Sequence, residues 1–464
     1  MQNYEPLESV IVNNVNRAVA NKKLNLELLL TQMEENFMRL GFRRQPEDKT
    51  GIENILIVRL DNIGDFLLTV PAIRELRMNY PNAFITLVVR SHVRPIAELC
   101  PYVNEVLPFE YVLKSSNLIE FVMYASDFSS RYLWRRHYDL GFAFRYWGDA
   151  WHLISILLLY FGGVNQRVAY LLDAIKQYTN SMLPKEQNIS YLFLTHPILN
   201  PKEIIQDCAR SLYLIKAVGL TVSNTDLEFW YTLGDLYQAQ NLLKGFSPNR
   251  VKVAVGLGAT HLARRYPVEK YLVALKKIVE KGVSLVLLGG PTEIKDAQFL
   301  EDNLPKEFVK NLVKYQPDWR VTAAIISQTD MYLGNDTGTQ HIAAALKKPV
   351  IVLSRVAEDR KEIFPDEPTE VDIYYPWQTE SIIVQPKHQM GDCAVTPHYS
   401  GCDVQAPHCI TQINPKDIVA AFDEMIKVLL SAHSYSKLVI RFRNRNSFQI
   451  KSGEIIEKRR LQPA

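Results

Sequence analysis

Apolar and polar positions fall in blocks along this chain, and the order of the blocks repeats. Residues 55–60, ILIVRL, form a short apolar run rich in β-branched side chains, the pattern of a strand covered on both faces. A polar turn follows, Asp61-Asn62-Ile63-Gly64-Asp65. Residues 66–80 read as a helix, with Pro71 demanding a kink or a late start. The next strand is expected at 84–89. Strand, turn, helix and strand in that order imply a parallel sheet with crossover helices. A further strand is expected at 139–144 and a buried helix at 153–160.

The same pattern restarts after the polar stretch 244–250. Strands are expected at 251–256, 284–288, 331–333 and 350–353, and helices at 268–281 and 340–346. Two α/β halves thus meet near 235–250. Ligands in such sheets bind outside the carboxyl ends of the strands, so a cleft between the halves is the expected active site.

The two ends read differently. Leu26, Leu29, Leu30, Met33, Phe37 and Leu40 recur at helical spacing before Gly41, so 1–50 is expected to be a helical extension packed on the main body. Residues 435–464 carry Lys437, Arg441, Arg443, Arg445, Lys451, Lys458, Arg459 and Arg460 against Glu454 and Glu457. The plain reading is a solvated, partly disordered basic tail; the sharper one is attraction to an anionic membrane face. The expected organisation is an extension at 1–50, one half at 51–240, a second at 241–430 and a tail at 431–464.

Composition narrows the function class. The chain has 464 residues, 47% hydrophobic and 22% charged, which fits a folded protein of several domains and excludes collagen and long coiled coils. A formal net charge of +3 is too balanced for a nucleic-acid partner bound through phosphates. Five cysteines are too few and too scattered for a disulfide scaffold. The opening residues hold no signal-peptide core. The greasiest run, LISILLLYF at 153–161, falls short of the ~20 residues a bilayer needs. A cytoplasmic location is the resulting expectation.

Five segments can carry chemistry. In the turn 61–65, Gly64 permits close backbone approach, and Asp65 can accept a proton from a hydroxyl or merely cap a helix. Residues 334–341, GNDTGTQH, lie between a strand and a helix. Their small residues and helix-start N–H groups suit an anion such as a diphosphate, with hydroxyls from Thr337 and Thr339 and a donor in His341. Asp336 would repel phosphate, so it orients the loop or meets a sugar hydroxyl. Gly256-Leu257-Gly258 imitates a dinucleotide fingerprint, but His261 stands where the third glycine belongs. Arg264 and Arg265 after it suit a pyrophosphate, or form a solvated basic loop. Glu293, after Gly289-Gly290-Pro291, can bind a ribose hydroxyl pair or close an ordinary turn. Cys393, Cys402 and Cys409, with His398 and His408, lack the paired spacing of a zinc finger, so packed thiols are preferred to a metal. The chain contains no Asp-x-Asp, so a nucleotide diphosphate would be neutralised by arginine and helix termini.

Taken together, these residues resemble glycosyltransferase family 9, the lipopolysaccharide heptosyltransferase-like family. The match runs over ILIVRL-DNIGD-FLLTVPAIREL and over NDTGTQHIAA at 335–344. Arg-Arg-Tyr-Pro at 264–267 is similar to the family's Lys-Arg-Trp-Pro, and the late cysteines with Ile413-Asn414-Pro415 are similar to its Cys-rich stretch. The resemblance covers roughly 52–430. It implies a GT-B architecture, two Rossmann-like domains facing across a cleft. It implies an inverting, metal-independent transfer with no cofactor, from a nucleotide sugar (ADP-heptose foremost) to a lipopolysaccharide-core or related glycan. By position, Asp65 would be the general base. Arg264, Glu293, Asp336, Thr337, Gly338 and His341 would line the donor site. Arg90, Arg94 and Arg145 would meet an acidic glycolipid acceptor, with Arg131, Arg135 and Arg136 as further cations. The alternatives are a transferase using another nucleotide sugar, a nicotinamide-dependent oxidoreductase, and a non-catalytic binding module.

Overall fold

The computed structural model describes Glu35 and residues 51–111, 118–146, 149–171, 192–247, 249–394, 407–434, 450–451 and 454–455. The expected N-terminal extension, most of the basic tail, Cys402 and His398 lie outside the described residues. Two compact units are present. One comprises residues up to Asn62, Ala72–Glu203 and Arg210–Asn224; the other comprises Ile63–Pro71, Ile204–Ala209 and the chain from Thr225 onward.

The first unit is built on a six-stranded parallel sheet. Its strands are β1 (Asn54–Arg59), β2 (Phe84–Arg90), β3 (Glu105–Phe109), β4 (Leu140–Ala143), β5 (Gln166–Leu171) and β6 (His196–Leu199), in the order β3-β2-β1-β4-β5-β6. Ile55, Leu56, Ile57 and Val58 are fully buried, because crossover helices cover both faces of a parallel sheet. β1 pairs β2 from Asn54↔Phe84 and β4 from Ile55↔Leu140. One covering helix, Ala150–Phe161, is apolar nearly all round and buried from His152 to Phe161, as a helix with no solvent face must be. Asp149 caps it by accepting from the His152 N–H at 3.0 Å.

The second unit repeats the plan. β7 (Lys252–Gly256), β8 (Ser284–Leu288), β9 (Val309–Asn311), β10 (Met331–Asn335), β11 (Val350–Leu353) and β12 (Ser381–Val384) form a parallel sheet ordered β12-β11-β10-β7-β8-β9. Counted from its own first strand this is the same order as in the first unit, that of a dinucleotide-type doubly wound sheet. Helices Val268–Val279 and Pro415–Ser434 supply Leu275, Ile278, Phe422 and Met425 to its core.

Among the described residues, seven of the eight inner strands stand where the apolar runs indicate; β5, opening on Gln166 and Arg167, is an inner strand that the pattern does not predict. The helix after β1 differs from expectation. It spans Ile63–Asn79, starting before Phe66 and carrying Pro71 inside it. Asp65 lies in its first turn and does not precede it as a cap. Among the described residues, no helix is long and apolar enough to cross a membrane.

Candidate active site

In a doubly wound sheet the crevice for ligands opens where strand order reverses, past the carboxyl ends of the two central strands. In the second unit those strands are β7 and β10. Their following loops are the Gly256–Arg265 segment and the NDTG turn, so topology alone brings two of the predicted segments to one edge. Asn335 joins them. Its side-chain amide donates to Leu257 O at 2.8 Å, and its Oδ1 accepts from the Tyr266 N–H at 3.1 Å and from the Tyr271 hydroxyl at 3.2 Å. This fully buried amide fixes both loops in one arrangement.

The charged centre is built around Glu370. Arg264 Nη2 lies 2.8 Å from Glu370 Oε1, and Arg355 meets both carboxylate oxygens at 2.6 and 3.0 Å. Burial pushes the Glu370 carboxyl up, but the two guanidiniums and their hydrogen bonds outweigh it and bring it down to about 2. A carboxylate held between two arginines orients both and leaves a net positive charge. Arg264 Nη1 also lies 4.0 Å from Asp336 Oδ2. Burial raises the Asp336 carboxyl to about 6 against the pull of Arg264, and Gln340 Nε2 donates to its Oδ1 at 2.7 Å.

The helix Gly338–Ala345 starts beside this centre. Its N-cap Thr337 makes no side-chain cap hydrogen bond; its hydroxyl instead pairs with that of Thr339 at 2.9 Å, which pairs with Tyr332 at 2.6 Å. His341 is buried, and burial followed by the nearby Arg264 lowers it to about 4, so the ring is neutral near pH 7. Its Nδ1 has no hydrogen-bond partner among the described residues.

Residues Ile63–Pro71 belong to this same unit. A Cβ on Gly64 would stand 2.6 Å from His341 Cδ2, and one on Gly338 would stand 3.6 Å from Gly64 N. The Asp65 turn and the NDTG turn therefore pack on one another through glycines, and Asp65 itself is half-buried.

The glycines after β7 and β8 serve side chains of the protein. A Cβ on Gly256 would lie 1.9 Å from the Tyr332 hydroxyl, and Cβ atoms on Gly258 and Gly289 would lie 2.8 and 2.9 Å from atoms of Glu293. The space that a dinucleotide fingerprint keeps for a pyrophosphate is occupied here at Gly256 and Gly258. Glu293 is buried. It accepts from the Gly290 N–H at 2.8 Å and the Thr292 hydroxyl at 2.5 Å, and pairs with Arg265 at 2.8 Å.

The three arginines expected at an acceptor lie in the first unit and are engaged differently. Arg145 pairs with Asp61 and with Asp149, its Nε 2.8 Å from Asp149 Oδ1, while Arg59 holds the other Asp61 oxygen at 3.1 Å. This network sits past the ends of the central strands β1 and β4. Arg90 is half-buried with its guanidinium 4.8 Å from the Trp151 ring centroid. Arg94 forms an exposed pair with Glu98 at 2.6 Å. Arg131 pairs with Asp127, and Arg135 and Arg136 with Glu105.

Sequence reasoning missed Arg355, Glu370 and the Asp61 network. Arg355 lies two residues past the end of β11, so the rule of strand carboxyl ends could have found it. Glu370 stands in an ordinary Thr369–Asp372 capping box and carries no comparable signal.

Known proteins resemble this chain in sequence and in fold. Residues 167–363 match the model of glycosyltransferase family 9 (heptosyltransferase). The chain is 23% identical over 293 residues to lipopolysaccharide heptosyltransferase 3 of Escherichia coli K12, covering 62% of this chain and 79% of that one. A family 9 glycosyl transferase from Veillonella parvula superposes with a TM-score of 0.62 at 16% identity, over 82% of this chain and 99% of that one. ADP-heptose lps heptosyltransferase II of E. coli does so at 0.56 and 18% identity, over the same shares. Motif order, two doubly wound sheets and these matches support a glycosyltransferase of the family 9, heptosyltransferase-like kind, built on the GT-B fold.

Proposed function

We propose that the chain moves a heptose from ADP-heptose onto a lipopolysaccharide-core or related cell-surface glycan, inverting the anomeric carbon and using no metal ion in the step. The observation that carries this reading is the pair Arg264 and Arg355 on one buried carboxylate, beside a helix start whose cap side chain leaves its N–H groups alone. Such a set binds a diphosphate by charge and by oriented donors. The relatives, named as lipopolysaccharide and ADP-heptose transferases, suggest the substrate class.

In this reading the acceptor hydroxyl attacks the anomeric carbon as the bond from that carbon to the β-phosphate oxygen breaks. Asp65 takes the hydroxyl proton, and the departing ADP takes the electron pair. Negative charge grows on the diphosphate, so Arg264, Arg355 and the Gly338 helix start stabilise the transition state more than the ground state. Thr337 and His341 donate to donor oxygens. Asp336 meets a sugar hydroxyl. Glu293 holds Arg265 and the glycine turns. Arg90 and Arg94 offer cations to an acidic acceptor, and Arg145 reaches it from the Asp61 network. The enzyme works on the cytoplasmic side, its basic tail drawn to the anionic inner membrane face.

A thermal-shift panel of ADP-, GDP-, UDP- and dTDP-sugars tests the donor. Binding to the native state raises the midpoint in proportion to ligand excess over Kd. ADP-heptose is expected to raise it most; a selective rise with another nucleotide overturns the donor assignment.

A further inference from the structure

Away from these loops, the second unit gathers a compact set of metal-type ligands that the transfer reaction does not use. Cys393 lies in a short turn at Gly391–Ala394, and Cys409 opens another at Cys409–Gln412, just before the helix Pro415–Ser434. Cys393 and Cys409 are buried and His408 is half-buried. The two sulfurs and one imidazole nitrogen lie within 4.8 Å of one another. His408 Nδ1 is 3.8 Å from Cys393 Sγ and 3.4 Å from Cys409 Sγ.

Two sulfurs crowd one imidazole nitrogen, and Cys409 Sγ also lies 3.7 Å from Gln389 Oε1. Nδ1 has a single in-plane direction, for either a proton or a lone pair, so it can satisfy only one of them. Convergence of all three atoms on a common centre is what a cation requires. Tetrahedral metal–sulfur and metal–nitrogen bonds give edges of roughly 3.6 Å for S···N and 3.8 Å for S···S. The two S···N distances already match, and the sulfurs need to approach by at most about 1 Å. The surroundings fit as well. The Met390 N–H donates to Cys409 Sγ at 3.3 Å, a contact of the kind that stabilises a thiolate and fixes its direction, and Arg360 donates to the Cys393 backbone carbonyl at 3.1 Å, bracing the turn that carries that cysteine.

We propose that Cys393, His408 and Cys409 are ligands of one tetrahedral divalent metal ion, and that zinc is the ion this donor set fits best. The ion clips the segment after β12 to the turn that precedes the last helix. Its role is structural, and no step of sugar transfer passes through it.

The test is elemental analysis of the full chain, purified under reducing conditions without added metal. About one equivalent of zinc per chain is expected, lost in the Cys393→Ser/Cys409→Ser double variant. One equivalent of iron lost in the same variant would support the site and overturn the choice of zinc. Less than about a tenth of an equivalent of any d-block metal, or metal retained by the double variant, overturns the site. Should that variant fail to fold, the unmutated chain stripped by a chelator and reloaded with cobalt(II) decides. A thiolate-to-cobalt charge-transfer band is expected, and its absence refutes the proposal. Thiol titration of the native chain adds a last arm, since a Cys393–Cys409 disulfide would also overturn it.

Discussion

Asp65 and Asp336 are two carboxylates with different burdens. Asp65 stands half-buried in a first helical turn, next to the glycine that packs on His341. As a general base it would contribute ~10²–10⁴-fold to the rate. Asp65→Asn is therefore expected to lower kcat by about that factor while leaving ADP-heptose binding within about twofold, checked by transfer assay and calorimetry. Full activity in that variant removes Asp65 from the mechanism. Asp336 titrates near 6 because burial outweighs Arg264. Below that pH it becomes neutral and stops repelling a diphosphate, so donor affinity should rise as pH falls through about 6. ADP-heptose is the proper ligand for this measurement, having no terminal phosphate to titrate. Asp336→Asn should flatten the profile; an unchanged profile would show that another group is titrating. Glu370, held near 2, stays charged throughout and keeps both arginines in place.

At the scale of elements, the glycines separate into those that make room and those that do not. Gly256 ends β7 directly under the Tyr332 hydroxyl, which a Cβ would meet at 1.9 Å. Gly256→Ala should thus lower unfolding stability by roughly 1–3 kcal/mol through overpacking. Gly234, in the helix Leu233–Leu243, would bring its Cβ no nearer than 3.5 Å to Thr232. Gly234→Ala should be neutral or gain up to about 1 kcal/mol from helix propensity. Denaturant titration of the pair checks the contrast, and equal losses would refute it. The same element explains a limit of reading pattern. A glycine near a strand end suggests a ligand, yet whether a neighbour already fills the space depends on a residue some 76 positions away in sequence, which no local window reveals.

For the molecule as a whole, legibility follows burial. β1, β2, β4, β7, β8, β10 and β11 can be read because inner parallel strands are nearly continuous apolar runs, whereas β5, also an inner strand, escapes because it opens on Gln166 and Arg167. The four outer strands, β3, β6, β9 and β12, were not identified. β3 carries Pro108, β6 is largely exposed and β9 has only three residues, so these three offer little apolar signal. The candidate site was legible where its residues sit in strand-end turns, as Arg264, Asp336 and His341 do. It was hidden where a partner came from a distant segment, as Glu370 did. The basic residues of 435–464 carry a prediction at this scale. The full chain should pellet with vesicles containing anionic lipid at low salt and be released by added salt, since each cation near such a surface contributes about 1 kcal/mol. Equal pelleting by a chain lacking 435–464 would assign any attachment to another region.

The buried amide of Asn335 has a consequence for how specificity could change over time. Because it braces the loops after β7 and β10 from within, the frame does not rely on whichever molecule it holds. Side chains at the rim are then at liberty to vary without unfolding the scaffold, and a lineage could acquire a taste for a different sugar through a handful of peripheral exchanges. Loss of that one amide, by contrast, would leave several polar groups stranded at once, an injury costing a few kcal/mol that no change at the rim could repair.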